Sequence, residues 1–190
     1  MDKFILEIPN AIPKELCNEI IKRFENDSRK ENGVVINATM GRLPFIDKSL
    51  KDSVELPIGE KSDWNDINNS MYEHVKKCLD AYSNFLKNNF DYGQTINPMD
   101  TLLNIQFGML HFEIQKTPKD GVYAWHYDGG IPEHLANIII YLNTLEYGEG
   151  GRTQFINGRK VIPEAGKVLI FPTTWTFVHS GERVKTDKSK

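Results

Sequence analysis

Between residues 14 and 26 the apolar positions Leu16, Ile20, Ile21 and Phe24 fall three to four apart, with Lys and Glu between them. That spacing lays one apolar stripe along a helix. Just upstream, the apolar run KFILEI at residues 3–8 is closed by Pro9 and Asn10 and reads as a strand. Pro13 suits the first turn of the helix, which runs to about Asn26. A second stripe, Met71, Val75, Leu79, Tyr82 and Phe85, follows a cap residue at Asp63 or Asp66 and carries a helix to about Asn89. Met and aromatics at helical spacing are core rather than a cofactor box, so the stripe is assigned to scaffold. Residues 29–62 between the helices are rich in Lys, Asp, Ser, Gly and Pro with weak periodicity, and read as loop.

From Leu102 onward the pattern changes to short apolar or alternating runs: FGMLHFEIQ, NIIIYLN, RTQFIN, KVLIFP and WTFVHS, separated by Gly, Pro and Asp. Several short strands at this spacing predict a sandwich or barrel. The fold class expected is therefore mainly β with supporting α-helices. Residues 1–190 form a single domain, with 1–100 as helical support and 101–190 as the β core. No repeat, low-complexity tract or linker interrupts it.

Composition narrows the function classes. The 190 residues suffice for a buried core, and a net charge of -3 with scattered basic residues gives no cationic face for nucleic acid. Cys17 and Cys78 stand in no metal or disulfide pattern and read as reduced, buried thiols. The N-terminus meets Pro9 and Pro13 before any long apolar run, so neither a signal peptide nor a spanning helix is visible. A cytoplasmic protein without a membrane partner is expected.

The chemistry lies in Trp125-His126-Tyr127-Asp128 and in Trp175-Thr176-Phe177-Val178-His179. On a strand, His126 and Asp128 would point to one face, because side chains alternate with period two. His179, at the end of a later apolar strand, supplies a third ligand. Two His and one carboxylate leave positions open on a six-coordinate iron, which suits an oxygenase better than a zinc hydrolase. H-x-D also arises by chance, and His74, His111 and His134 read as ordinary structural or solvated histidines. Gly150 and Gly151 suit a turn with positive φ, and Pro163 and Gly166 bracket a hairpin.

Taken in order, FEIQKT, GVYAWHYD, NIIIYLN, GEGGRTQF, VIPEAGKVLIFP and WTFVHSGERV resemble the prolyl-4-hydroxylase-like branch of the 2-oxoglutarate/Fe(II) oxygenases, especially its compact microbial and viral members. The resemblance covers about residues 100–190. It implies a double-stranded β-helix (jelly roll, cupin-like) packed against two N-terminal helices. It also implies Fe(II) on His126, Asp128 and His179, 2-oxoglutarate as cosubstrate, O2, and L-ascorbate as a further candidate cofactor. The implied reaction is oxidative decarboxylation of 2-oxoglutarate to succinate and CO2 with hydroxylation of an unactivated C–H bond. A peptide, protein or small molecule can be the substrate, peptidyl proline being the family's commonest. Retention of Asp128 argues against halogenation. No R-x-N-x-T-x-R pattern of the nucleic-acid demethylases follows His179.

In the resemblance a Lys or Arg nine or ten positions after the last His pairs with the C5-carboxylate of 2-oxoglutarate. Here Lys188 stands nine, Ser189 ten and Lys190 eleven after His179. With one extra residue in the turn near Thr186 and Asp187 the cation is Lys190, and Lys188 is its rival on the same strand face. Tyr141 matches a position whose phenol often joins that carboxylate, a core aromatic being the alternative. Trp125 and Trp175 line either the substrate mouth or the core. Relatives continue through one more strand, so a chain ending at Lys190 is expected to lack it. The competing class is a catalytically silent cupin-like binding module, against which the complete triad and the following Lys both argue.

Overall fold

The computed structural model describes residues 2–36, 43–89, 111–128 and 135–190. Helix α1 spans Lys14–Asn26, with Pro13 as its extended N-cap residue, and buries Cys17, Ile20 and Phe24. Helix α2 spans Asn65–Asn89 after a 3-10 turn at Ser62–Trp64. It buries Ile67, Met71, Val75, Cys78, Tyr82 and Leu86. The predicted stripe is thus rotated slightly: Cys78 and Leu86 point inward, whereas Leu79 and Phe85 are half-buried. Tyr82 is accommodated in the core because its hydroxyl donates to the Phe4 carbonyl at 2.8 Å. Both cysteines are buried and free.

Among the described residues there are twelve short strands, numbered in chain order: β1 Leu6–Ile8, β2 Glu31–Asn32, β3 Val35–Ile36, β4 Pro44–Phe45, β5 Val54–Pro57, β6 Glu113–Lys116, β7 Tyr123–His126, β8 Ala136–Ile140, β9 Thr153–Phe155, β10 Lys160–Val161, β11 Val168–Pro172 and β12 His179–Gly181. One sheet runs β1-β11-β8, a second β10-β9-β12-β7 and a third β2-β5-β6, all antiparallel. Strand β11 is central to the first and sealed on both faces. Val168 and Ile170 join the core formed by the helices. Leu169 and Phe171, on the opposite face, pack with Tyr141, Phe155, Val161 and Phe177 between the first two sheets. This explains why KVLIFP is an unbroken apolar run instead of an alternating one.

Residues 29–62 are not loop throughout. They contribute β2 to β5, and β5 pairs with β6 through Leu56 opposite Ile114. Strands of two to four residues are too short to show a period, and their partners lie far along the chain. Likewise β1 belongs to the sheet of β11, so the first hundred residues are more than helical support. The FGML run and His134 lie outside the described residues. Among the described residues no helix is long and apolar enough to cross a membrane.

The segment before β5 also covers the free edge of β7. The Ala124 N–H donates to the Leu50 carbonyl at 2.6 Å, the Asp52 N–H donates to the Val122 carbonyl at 2.9 Å, and Lys51 bridges to Tyr123. Lys51 and Glu55 are buried there with Nζ 2.5 Å from Oε1. Removing one member of a buried pair strands the other charge, and here Glu113 faces the same Glu55 carboxylate. Lys51→Ala should therefore destabilise the fold by about 3–5 kcal/mol in denaturant unfolding. A loss below about 1 kcal/mol would show that water reaches the pair.

Candidate metal centre

Strands β7 and β12 are neighbours, and their register sets His126 directly opposite His179. The ring centroids lie 4.2 Å apart. Asp128 stands two residues past the end of β7, so the turn out of the strand, not shared strand parity, brings it to the histidines. Its Oδ1 lies 3.6 Å from His126 Nε2 and its Oδ2 3.4 Å from His179 Nε2. One potential ligand atom from each residue falls within 4.8 Å of the others. His179 opens β12 instead of ending an apolar strand, because Pro172 terminates β11 and a 3-10 turn at Trp175–Phe177 crosses between the sheets.

Both imidazoles are oriented by backbone. His126 Nδ1 donates to the Ala124 carbonyl at 2.7 Å and His179 Nδ1 to the Phe177 carbonyl at 3.0 Å. A carbonyl only accepts, so the proton sits on Nδ1 in each ring and the Nε2 lone pairs face Asp128. Burial, with His179 alongside, pushes the His126 imidazole down to about 4, and burial also lowers His179. Both rings are neutral at physiological pH, the form that ligates metal. Tyr123 stacks on His126 with centroids 3.7 Å apart, while Phe171 packs edge-on against His179. Two imidazole nitrogens and one carboxylate, held together with their donor atoms aimed inward, fit a first-row divalent ion with positions to spare.

A second polar cluster occupies the same space between the sheets. Tyr141, following β8, is almost fully buried, with its hydroxyl 2.7 Å from Thr153 Oγ1 of β9. Lys190 Nζ donates to the same Thr153 oxygen at 3.3 Å and lies 5.7 Å from the Tyr141 ring centre. Burial pushes the Lys190 amine down to about 8. Its backbone is clasped by Thr117, N–H to carbonyl at 3.0 and 2.7 Å in the two directions. Lys188 and Lys190 do not share a strand face, because the chain bends over residues 186–188. Lys188 is exposed and pairs with Glu149 at 3.0 Å. Gly150 and Gly151 adopt φ of 77° and 69° as the turn requires.

Strand parity connects the two clusters. Asn137, Ile139 and Tyr141 alternate onto the inter-sheet face on one side, and Thr153 and Phe155 on the other. Phe155 is opposite His179 in the register. From Phe155 to Thr153 is two strand residues, about 6.6 Å, the scale of an extended five-carbon dicarboxylate. The five candidates of the sequence, His126, Asp128, His179, Tyr141 and Lys190, all line this space. Thr153 and Asn137 line it too, and their only signal in the sequence is alternation with the inward residues Phe155 and Tyr141. Trp125 and Trp175 are 55% and 74% exposed, which excludes the core alternative for both.

The profile described as 2OG-Fe(II) oxygenase superfamily matches residues 112–190. No curated protein is similar in sequence beyond chance. Among solved structures the chain is similar to a viral collagen prolyl hydroxylase from Paramecium Bursaria Chlorella virus-1, at 16% identity and TM-score 0.63, covering 98% of this chain and 91% of that one. It is also similar to a Pseudomonas putida prolyl-4-hydroxylase, at 11% identity and TM-score 0.62, covering 97% and 87%. A prolyl hydroxylase from Trichoplax adhaerens, solved with a hypoxia inducible factor oxygen degradation domain peptide fragment, matches at 14% identity and TM-score 0.68, covering 98% and 80%. Residues 112–190 are thus similar to the 2OG-Fe(II) oxygenase superfamily, and the chain has a fold shared with prolyl hydroxylases.

Proposed function

We propose that the protein is a hydroxylase in which His126, Asp128 and His179 hold Fe(II), Lys190, Tyr141 and Thr153 receive the distal carboxylate of 2-oxoglutarate, and the substrate is a peptide or protein. When bound, iron and cosubstrate supply oxygen activation, turning 2-oxoglutarate, O2 and a C–H bond into succinate, CO2 and an alcohol. The chain's own groups provide the arrangement. The two Nδ1 protons are parked on backbone carbonyls, so each Nε2 remains a donor. Lys190 offers a cation and Tyr141 a neutral hydroxyl away from bulk water, where a charge-assisted hydrogen bond is strongest. Phe155 and Phe171, buried and packed edge-on with ring centroids 5.0 Å apart, form an apolar wall of the intervening space.

The observation that carries this reading is the co-location of a three-ligand cluster and a buried amine–hydroxyl cluster on one inter-sheet face. Likeness to hydroxylases acting on prolyl peptides favours peptidyl proline as the substrate, and the free thiols Cys17 and Cys78 suit a reducing cytoplasmic setting. L-ascorbate would serve as an accessory reductant. The test is anaerobic addition of Fe(II) and then 2-oxoglutarate. A weak visible charge-transfer band is expected only with both present, and a screen of Pro-containing peptides should then yield substrate-stimulated succinate. A folded protein that binds Fe(II) without the band would be a binding module, not an oxygenase.

A further inference from the structure

We infer that Asn137 is a positioning residue for the metal centre, holding the Asp128 carboxylate from the opposite sheet. The inference rests on the metal reading above and adds a residue to it. Asp128 is the least constrained member of the triad. His126 and His179 are fixed by strand pairing and by their Nδ1 hydrogen bonds, whereas Asp128 stands beyond the end of β7 with its side chain 33% exposed. A carboxylate so placed can rotate away from the histidines unless something else holds it.

Asn137 supplies that restraint. Its Nδ2 donates to Asp128 Oδ2, the oxygen that faces His179 Nε2. The amide nitrogen must be the group presented, because an amide oxygen would repel the carboxylate. Asn137 is itself rigidly placed, lying within β8 opposite Phe171 of β11, so its contact reaches from one sheet across to the turn after β7. The choice of side chain also needs a partner. The next inward residue of β8 is the aliphatic Ile139, packed against the inter-sheet core, and an amide on such a face is costly unless hydrogen-bonded. With Oδ2 already accepting an N–H, Asp128 has less capacity to chelate through both oxygens. That restriction leaves more of the ion's positions for cosubstrate and O2.

Partners of this kind commonly contribute ten- to hundredfold to metal affinity. The experiment uses the metal-free protein and Co(II), whose visible d–d bands report the geometry of its ligands. Asn137→Leu keeps most of the volume and removes the donor, and Asn137→Ala repeats the deletion without the added branch. Both should bind Co(II) about ten- to hundredfold more weakly with a shifted visible spectrum, while the unfolding midpoint of the metal-free protein stays near the parent's. A packing role alone would lower that midpoint and leave the spectrum of the bound ion unchanged. Co(II) affinity within about twofold of the parent, with superposable spectra, in either folded variant would overturn the inference and leave the triad standing. If the parent itself binds Co(II) no better than Asp128→Ala does, the metal reading fails and takes this inference with it.

Discussion

Replacing Asp128 or His179 with alanine is expected to reduce Fe(II)-dependent succinate formation to background, and His126→Ala to do the same. Two remaining donors cannot hold a six-coordinate ion in one face. The loss should therefore exceed the ten- to hundredfold that removal of a supporting hydrogen-bond partner costs. The three positions differ in what else they do. His179 is 4% exposed and packs between Phe155, Phe171 and His126, so His179→Ala also opens a cavity and its stability must be measured alongside. Asp128→Asn is the cleaner variant, because it keeps the shape and removes only the anionic donor. Turnover in folded Asp128→Asn near that of the parent would sink the metal assignment.

The second large effect belongs to Lys190. A charge-assisted hydrogen bond to a carboxylate contributes about 1.5–3 kcal/mol, so Lys190→Met should weaken 2-oxoglutarate binding about ten- to hundredfold and leave Fe(II) affinity nearly unchanged. Lys188→Met deletes the same charge two residues away and should do little, since Lys188 pairs with Glu149 on the surface. The amine also predicts a pH dependence. Burial lowers it to about 8, so below that pH the ammonium is present and affinity is full. Above pH 8 the cosubstrate-free amine loses its proton, and the dissociation constant should rise about tenfold per pH unit. Lys190→Met should abolish that rise. If Lys188→Met weakens binding and Lys190→Met does not, the cation is Lys188. If neither does, Arg152 and Arg159 come next, although each is already engaged by a carboxylate, Glu182 at 2.6 Å and Glu7 at 2.9 Å.

Much of this architecture was legible in the chain. Both helices declare themselves through apolar spacing, because burying one stripe is a requirement each segment meets locally. The inward residues of β11 and β8 follow from parity once the strands are recognised. The strands of residues 29–62 were not legible, since a two-residue pairing has no period and depends wholly on its partner. Nor was the 3-10 turn before His179, where WTFV carries the apolar texture of a strand yet crosses between sheets.

By itself, then, the sequence singled out the candidate ligands His126, Asp128 and His179, their order and the lysine-bearing tail, because donor chemistry belongs to side chains and survives any fold. Geometry was decided elsewhere. That His126 faces His179 is a fact of register between strands some fifty residues apart. That Lys190 and not Lys188 points inward depends on a bend over residues 186–188 and on the clasp with Thr117. Thr153 and Asn137 acquire meaning only when two sheets face each other. The physical reason is common to all four: hydrogen bonds and close polar contacts act over about 3 Å, and sequence distance does not fix which groups come that near.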